Sequence, residues 1–160
     1  MNFEELERIK RSQFKTFLDT TPSGNSRTWK LEGWGVEEAG IDYGAQTDRI
    51  RYIIEDNART DHTGNEKQMS ITKRTYKGEP VFEFVNGARD KLNYKTHILE
   101  VDSWNETDST YPAKMTDGLI VITNYSGSEI EYDLYFDGDT TEGTVTFADS
   151  VPTFTPTASL

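Results

Sequence analysis

One segment of the sequence, EIEYDLYF at residues 129–136, places the strongest restriction on the fold. Every second residue from Ile130 to Phe136 is apolar, and the residues between them are acidic or polar. Successive side chains of a β-strand point to opposite sides, so this segment predicts a strand with one buried face and one exposed, acidic face. Asp137-Gly138-Asp139 follows it and is typical of a tight turn. The same period of two occurs at residues 96–104, 113–125 and 143–147.

The first half of the chain combines strand patterns with two helical patterns. A short amphipathic helix is predicted over residues 3–11, and a turn-rich connection over residues 37–47. A second helix is predicted to begin at Pro80, because proline suits the first helical position. Its buried stripe is predicted to contain Val81, Val85, Ala88 and Leu92. Strands are predicted at residues 14–18, 27–36, 49–55 and 68–76.

These patterns predict one domain over residues 1–160 that is mainly β: a β-sandwich or barrel of about seven to eight strands with one packed α-helix. Residues 1–12 are predicted to be a short N-terminal helix or arm. Residues 151–160 contain two prolines and no alternation, which predicts an extended C-terminal arm. Segment 56–67 has Ala58 as its only apolar residue and is predicted to be the long polar tip of a hairpin over residues 49–76. Loops of this length are usually functional or disordered.

Charge is distributed unevenly along the chain. The net charge is −11, yet residues 1–98 contain as many acidic as basic residues, and residues 99–160 contain Lys114 as their only base. A nucleic-acid-binding protein gains affinity by neutralising phosphates with lysine and arginine, so this composition argues against that class. The N-terminus has no apolar run typical of a secretory signal, and no segment has the length of a membrane span. We therefore expect synthesis in a cytoplasm and no association with a membrane.

No catalytic, cofactor-binding or metal-ligating residue is predicted. His62 and His97 are isolated and the chain has no cysteine, so we expect a structural or solvated role for each histidine. The segment DGDTTEG at residues 137–143 lacks the glycine and glutamate that a calcium loop requires at fixed positions. The acidic residues are too dispersed to identify a catalytic pair. We therefore expect a protein that is not an enzyme.

The tryptophans leave a second function class open. Trp29 and Trp34 are five residues apart and would lie on opposite faces of a regular strand, so at least one is expected in the core. An exposed Trp34 or Trp104 would suit a monomeric β-sandwich module that binds carbohydrate.

Five segments, in this order and spacing, resemble the major tail tube proteins of tailed bacteriophages. They cover about residues 10–102, and YKGEPVFEFV is the most specific part. The segments are KRSQFKTFL, TWKLEGWGV, YIIEDNA, YKGEPVFEFVNGARDKL and HILEVD. The resemblance implies a phage tail tube or type VI secretion tube-like fold, in which a compact β-sandwich has one flanking helix. It also implies hexameric rings that stack into a tube around a lumen through which the genome passes.

The same resemblance implies partners and sites. The partners are other copies of the chain, a tape measure protein, and tail tip or terminator proteins, in a virion tail that assembles in the host cytoplasm. DNA would pass through the lumen without specific binding. Residues 1–12 and 151–160 become candidate arms between rings. The candidate stacking loop, at 56–67, contributes Asp56, Arg59, Asp61, His62, Glu66 and Lys67.

The acidic residues of the second half are candidates for the wall of the lumen. We predict lumen-facing positions among Glu100, Asp102, Glu129, Glu131 and Asp133. Alternatively, these acids form a solvated outer face that favours solubility, and strands that carry Lys30, Arg49 and Arg51 face the lumen. A tail terminator or a head–tail connector also remains open, as does the choice between a contractile and a non-contractile tail.

Overall fold

The computed structural model describes residues 5–157, with the exception of the side chain of Glu38. Within this range the protein is mainly β with one α-helix, as predicted. The helix is α1 (Pro80–Asn86), and a 3-10 turn (Arg11–Gln13) precedes the first strand. The strands are β1 (Phe14–Asp19), β2 (Trp29–Leu31), β3 (Val36–Asp42), β4 (Gln46–Ile50), β5 (Arg59–Gly64), β6 (Gln68–Arg74), β7 (Tyr94–Asp102), β8 (Tyr111–Tyr125), β9 (Glu129–Ala148) and β10 (Val151–Pro156).

The strands form one curled antiparallel sheet, shaped as a half-barrel, and one separate hairpin. The order in the large sheet is β2-β1-β7-β8-β9-β6-β3. Strand β10 pairs with the C-terminal half of β9, and β6 pairs with its N-terminal half. Strands β4 and β5 pair only with each other in the described part of the chain.

Two hydrophobic clusters lie on opposite faces of the central strands. Leu18 and Ile98 belong to the first cluster, whereas Phe17 and Leu99, the adjacent residues on β1 and β7, belong to the second. Both strands are therefore buried on both sides. Helix α1 completes the first cluster, in which the predicted apolar face of β9 is buried. Burial of each leucine, isoleucine or valine side chain in these clusters stabilises the fold by about 1.5–3 kcal/mol.

The predicted turn at Asp137-Gly138-Asp139 is wrong, because β9 continues through it as one strand. Met115 of β8 pairs with Thr141, and Asp117 pairs with Asp137, so β9 carries extra residues at this point. Gly138 has a φ of 76°, which is a left-handed conformation that glycine adopts readily. The segment is thus a bulge that bends β9, and pairing with the long strand β8 continues on both sides of it.

Helix α1 begins at Pro80 as predicted but ends earlier than the apolar pattern suggested. The Glu79 side chain caps its N-terminus by accepting hydrogen bonds from the backbone N–H groups of Val81 and Phe82. Gly87 is the C-cap, and the following residues form turns. Leu92 is consequently 92% exposed and does not belong to the core.

The N-terminal part differs from the prediction in three places. Residues 6–10 have no regular structure, so the described part of the helix predicted over 3–11 is wrong; residues 3 and 4 lie outside the described residues. The strand predicted over 27–36 is divided into β2 and β3 by a turn, and β3 occupies most of the predicted connection 37–47. Gly35 explains the division, because its φ is 79° and an added Cβ would lie 2.7 Å from the Arg74 carbonyl oxygen.

The C-terminal arm is extended, as predicted, but its described part is paired. Residues 151–156 form β10 on the edge of β9. Pro152 and Phe154 face β9 residues of the second hydrophobic cluster, and Phe154 packs against that cluster. Across residues 5–157, α1 and the other helical turns are too short or too polar to cross a membrane.

Candidate functional site

One face of the N-terminal half of β9 carries a row of three half-buried carboxylates, Glu129, Glu131 and Asp133, here called the acidic row. The alternate residues Ile130, Tyr132 and Leu134 are buried in the first hydrophobic cluster, which fixes the acidic row on the opposite side of the sheet. The row was predicted by the alternation of the sequence, because a strand separates adjacent side chains onto two faces.

The strands next to the acidic row add few positive charges. Glu131 lies opposite Thr72 of β6, and Asp133 lies opposite Ser70, whose hydroxyl donates a hydrogen bond to Asp133 Oδ1 at 2.7 Å. Arg74 lies opposite Glu129, but its Nε is 3.1 Å from Glu37 Oε1. The side chain of Lys73 points to the other face and is fully buried. The acidic row is therefore a surface of net negative charge.

Glu100 and Asp102 lie apart from the acidic row. Both are on the face of β7 that carries Ile98, which belongs to the first cluster, so they point away from the face that bears the row. Glu100 is 5% exposed, and its Oε2 is 3.3 Å from Lys67 Nζ. Burial raises the pKa of the Glu100 carboxyl, although the Lys67 charge opposes this shift. The sequence could not separate these two acids from the row, because their pattern of alternation is the same.

The polar segment 56–67 is part of a hairpin rather than one long loop. Arg59, Asp61 and His62 lie on β5, while Asp56 lies in the turn between β4 and β5. Two local contacts stabilise the hairpin: Arg59 Nε is 2.7 Å from Glu55 Oε2, and His62 Nε2 is 2.7 Å from Asn65 Oδ1. Every described side chain of β4 is exposed. The hairpin therefore gains little stability from the body of the protein, and isolated two-stranded hairpins are marginally stable.

The C-terminal end of segment 56–67, unlike the hairpin, is in contact with the body of the protein. Glu66 follows β5, and its backbone N–H donates to the Gly44 carbonyl at 3.3 Å. Lys67 is held inside the body between Glu100 and the rings of Tyr43 and Phe136, with Nζ 5.0 and 4.7 Å from the two ring centroids. Lys67 thus anchors the base of the hairpin.

The tip of the hairpin is apolar, which the sequence pattern did not predict. Strand β4 ends at Ile50, so Tyr52, Ile53 and Ile54 lie in the turn and are exposed. In the strand predicted over 49–55, Tyr52 and Ile54 would have shared one face with Ile50. The alternation there was too short to distinguish a strand from an apolar turn. Contiguous exposed apolar residues mark interaction sites more often than chance.

A buried ionic cluster lies beneath the turn between β2 and β3. Lys73 Nζ donates hydrogen bonds to Glu32 Oε1 and Glu79 Oε2, both at 2.9 Å, and the Tyr132 hydroxyl donates to Glu32. Burial raises the pKa of Glu32, against the opposing effect of the Lys73 charge. Burial and the Glu32 carboxylate raise the pKa of Tyr132 well above its usual value. The cluster joins β6, β9, α1 and the turn, so it is a structural feature of the body.

His97 also makes structural contacts. Its Nδ1 is 2.9 Å from Asp19 Oδ2, and its Nε2 is 3.5 Å from Asp117 Oδ1. Asp19 accepts further hydrogen bonds from the backbone N–H groups of Thr21 and Thr28. Residues 5–157 contain no group of three histidine, cysteine, aspartate or glutamate side chains placed to hold a metal ion.

The fold can be compared with solved structures. It superposes on the SPP1 tail tube, a hybrid structure from solid-state NMR and cryo-EM, with a TM-score of 0.63 and 14% sequence identity. The superposition covers 89% of this chain and 82% of that chain. This is the fold of a tail tube subunit. No protein-family model and no curated protein matches the sequence, so the likeness to a tail tube lies in the three-dimensional structure.

The tail-tube fold confirms the resemblance that the five sequence segments indicated. The structure also places the two tryptophans Trp29 and Trp34 in different environments. Trp29 is in the second hydrophobic cluster, as expected for at least one of the pair, whereas Trp34 is 66% exposed. Trp104 is partly exposed as well. In this tail-tube fold, the half-buried acidic row, the apolar hairpin tip and Trp34 are the surface features that need an explanation.

Proposed function

We propose that this chain is the structural subunit of a phage tail tube and that it has no catalytic role. Copies assemble into hexameric rings, and the rings stack around a lumen that conducts the genome during ejection. Residues 1–160 act as one tail-tube domain. The observation that carries the proposal is the fold shared with the SPP1 tail tube over 89% of this chain. The tube belongs to the virion tail, assembles in the host cytoplasm, and meets a tape measure protein and tail tip or terminator proteins.

The acidic row is proposed to line the lumen. Double-stranded DNA carries one negative charge per about 1.7 Å of its axis, so a basic wall would retain it at every ring, whereas an acidic wall lets it move. Glu129, Glu131 and Asp133 suit this role because their half-buried carboxylates share one face with few cations. Glu100 does not suit it, because its carboxylate is buried against Lys67.

The hairpin of β4 and β5 is proposed to contact the next ring. Its apolar tip at Tyr52, Ile53 and Ile54 would be buried only when a neighbouring subunit covers it. The terminal segments 1–12 and 151–160 are proposed as further contacts between rings. Strand β10 already belongs to the body, so in the C-terminal segment the contacts come from its outer edge and the residues that follow.

Electron microscopy tests the proposal directly. We expect negatively stained samples of the purified protein, taken over a concentration series, to show hollow tubes or six-fold rings. Size-exclusion chromatography of the same samples should show a large species that grows with concentration. A protein that stays monomeric at every concentration, also after addition of preformed tail tips, would contradict the proposal.

A carbohydrate-binding module is the second candidate, favoured by the exposure of Trp34 and Trp104. An exposed aromatic ring can stack on a sugar, and Trp34 lies edge-on to Tyr76 with ring centroids 6.0 Å apart. A glycan array separates the two functions. Specific glycan binding by a stable monomer would support the module, and absence of binding together with tubes would support the tail tube.

A further inference from the structure

The side chain of Lys67 connects both ends of the β4–β5 hairpin to the body of the protein. Lys67 follows the hairpin, and its Nζ lies 5.0 Å from the ring centroid of Tyr43, which precedes the hairpin. The same Nζ is 3.3 Å from Glu100 Oε2 on β7, and both side chains are largely buried. We call the pair of Lys67 and Glu100 the latch. Because β4 and β5 pair only with each other in the described part of the chain, the latch is a charged link between the base of the hairpin and the large sheet.

The backbone at the base of the hairpin is suited to a change of direction. Gly44 has a φ of 51°, a left-handed conformation that glycine adopts readily. The hydrogen bond from the Glu66 backbone N–H to the Gly44 carbonyl is 3.3 Å long, which exceeds the usual range. The direction of the hairpin relative to the sheet therefore depends on side-chain contacts such as the latch.

A second hydrogen-bonding partner for Glu100 is in place on β1. Thr16 lies directly opposite Glu100 in the β1–β7 pair, and both side chains are on the face that carries Leu18 and Ile98. Side chains directly opposite in an antiparallel pair have Cβ atoms about 4.5–5.5 Å apart. Within residues 5–157, the Thr16 hydroxyl is the one buried side-chain polar atom without a hydrogen-bond partner. A buried hydroxyl without a partner is costly, so its place beside Glu100 requires an explanation.

The charges that face Glu100 come from three strands and from the residue after the hairpin. Lys67 and Lys114 of β8 favour the carboxylate, whereas Asp102 on β7 disfavours it. Glu142 of β9 lies opposite Lys114. Burial outweighs the two cations and raises the pKa of the Glu100 carboxyl. Since the interior favours the neutral carboxyl, protonation of Glu100 weakens its hold on Lys67 without unfolding the body.

We propose that Glu100 switches between two partners, Lys67 and Thr16, and that loss of its charge frees the hairpin to turn about Gly44. The latch is closed when Glu100 is a carboxylate bound to Lys67. It is open when Glu100 is neutral and forms a hydrogen bond with the Thr16 hydroxyl. The inference goes beyond the proposed function, because it concerns a single subunit. In the proposed tube, an open latch would let the hairpin adjust its direction to the ring that it meets.

Hydrogen exchange measured by mass spectrometry tests the switch in the isolated subunit, at a concentration below that of assembly. We expect the protection of residues 43–66, corrected for the intrinsic exchange rate, to fall as the pH is lowered from neutral towards 4.5, while β7 and β8 stay protected.

Glu100→Gln removes the charge at nearly the same size and keeps a side chain that can bond to Thr16. At neutral pH this variant should exchange its hairpin amides about tenfold faster or more, as expected when a hydrogen bond between charged groups is lost. Its exchange should also depend far less on pH than that of the natural protein. Asp102→Asn, which changes the next acid on the same face, is the matched control and should leave the hairpin protected at neutral pH.

Thr16→Val separates a switch from a merely structural contact. It removes the hydroxyl at the same size, so Glu100 loses its second partner and the hairpin should stay protected to a lower pH than in the natural protein. Equal hairpin protection in Glu100→Gln and the natural protein at neutral pH would overturn the switch, as would an unaltered pH dependence in Thr16→Val. Exchange that rises equally in β7 and the hairpin of Glu100→Gln would also overturn it, because it would show a general loss of stability. None of these results depends on tube formation, so the proposed function is tested separately.

Discussion

At the scale of single residues, Lys73 is the cation at the centre of the buried ionic cluster. It is fully buried and contacts the carboxylates of Glu32 and Glu79. The sequence contains a signal for this, because Lys73 continues the buried alternation of Met69 and Ile71 on β6. The sequence does not show which carboxylates pair with Lys73, because Glu32 is 41 residues away in the chain and approaches Lys73 only in the tertiary fold.

Lys73→Met should destabilise the protein by about 3–5 kcal/mol, because two buried carboxylates lose their only common cation. The free energy of unfolding, measured by urea denaturation, checks this. Arg74→Met is the matched control on the adjacent residue. Its pair with Glu37 is exposed, and exposed pairs contribute less than about 1 kcal/mol. An equal effect of the two substitutions would contradict the role assigned to Lys73.

The pH dependence of stability should report on Glu32. Its pKa is raised above 4.5 by burial, so the folded state binds this proton more tightly than the unfolded state. The contribution of Glu32 to the free energy of unfolding therefore increases as the pH falls from the raised pKa towards 4.5. Below pH 4.5 this contribution is constant. Glu32→Gln should remove this contribution. The difference in free energy of unfolding between the variant and the natural protein should therefore change with pH between 4.5 and the raised pKa. A difference that is the same at every pH would refute the assignment.

At the scale of elements, sequence periodicity identified the long strands because they alternate over many residues. Strands β6, β7 and β8, the start of β9 and the start of α1 were predicted close to their observed bounds. The errors occur where local signals compete with tertiary pairing. Asp137-Gly138-Asp139 has the composition of a turn, but β8 and β10 pair along the residues after it and keep the strand continuous.

The apolar tip of the hairpin leads to a prediction about stacking. The double substitution Ile53→Ser and Ile54→Ser should leave the melting temperature of the monomer nearly unchanged, since both side chains are exposed. Tubes should become shorter or separate into rings, because the tip loses the surface that the next ring is proposed to cover. Electron microscopy of tube lengths measures this. Asn57→Ser, a polar change in the same turn, is the control, and normal tube lengths in the double variant would exclude the tip from stacking.

At the scale of the whole molecule, the sequence indicated the fold class and the tail-tube resemblance, and it offered five acids as candidates for the wall of the lumen. The structure divides them, since Glu129, Glu131 and Asp133 share a face whereas Glu100 is buried on the other side. Alternation along one strand assigns neighbours to faces reliably. Alternation does not show whether side chains of two different strands lie on the same side of the sheet, because that depends on how the strands pair.

The acidic row predicts how an assembled tube treats DNA. The triple substitution of Glu129, Glu131 and Asp133 by lysine should give tubes that retain linear double-stranded DNA on co-sedimentation, with retention that falls steeply as salt increases. Tubes of the natural protein should retain almost none. Lysine at Glu5, Glu106 and Asp149, three exposed acids elsewhere, is the control for total charge. Equal retention by the two variants would place the row outside the lumen.

The pairing of distant strands also sets an order of events during synthesis. Strand β1 pairs with β7, about 80 residues later, and β6 pairs with β9, about 60 residues later. On the ribosome, β1 can pair early with β2, but its second partner, β7, is available only when most of the chain has emerged. The sheet of β3, β6, β9 and β8 is complete only when β9 has been translated. We therefore expect a subunit to become competent for the proposed assembly only late in its synthesis.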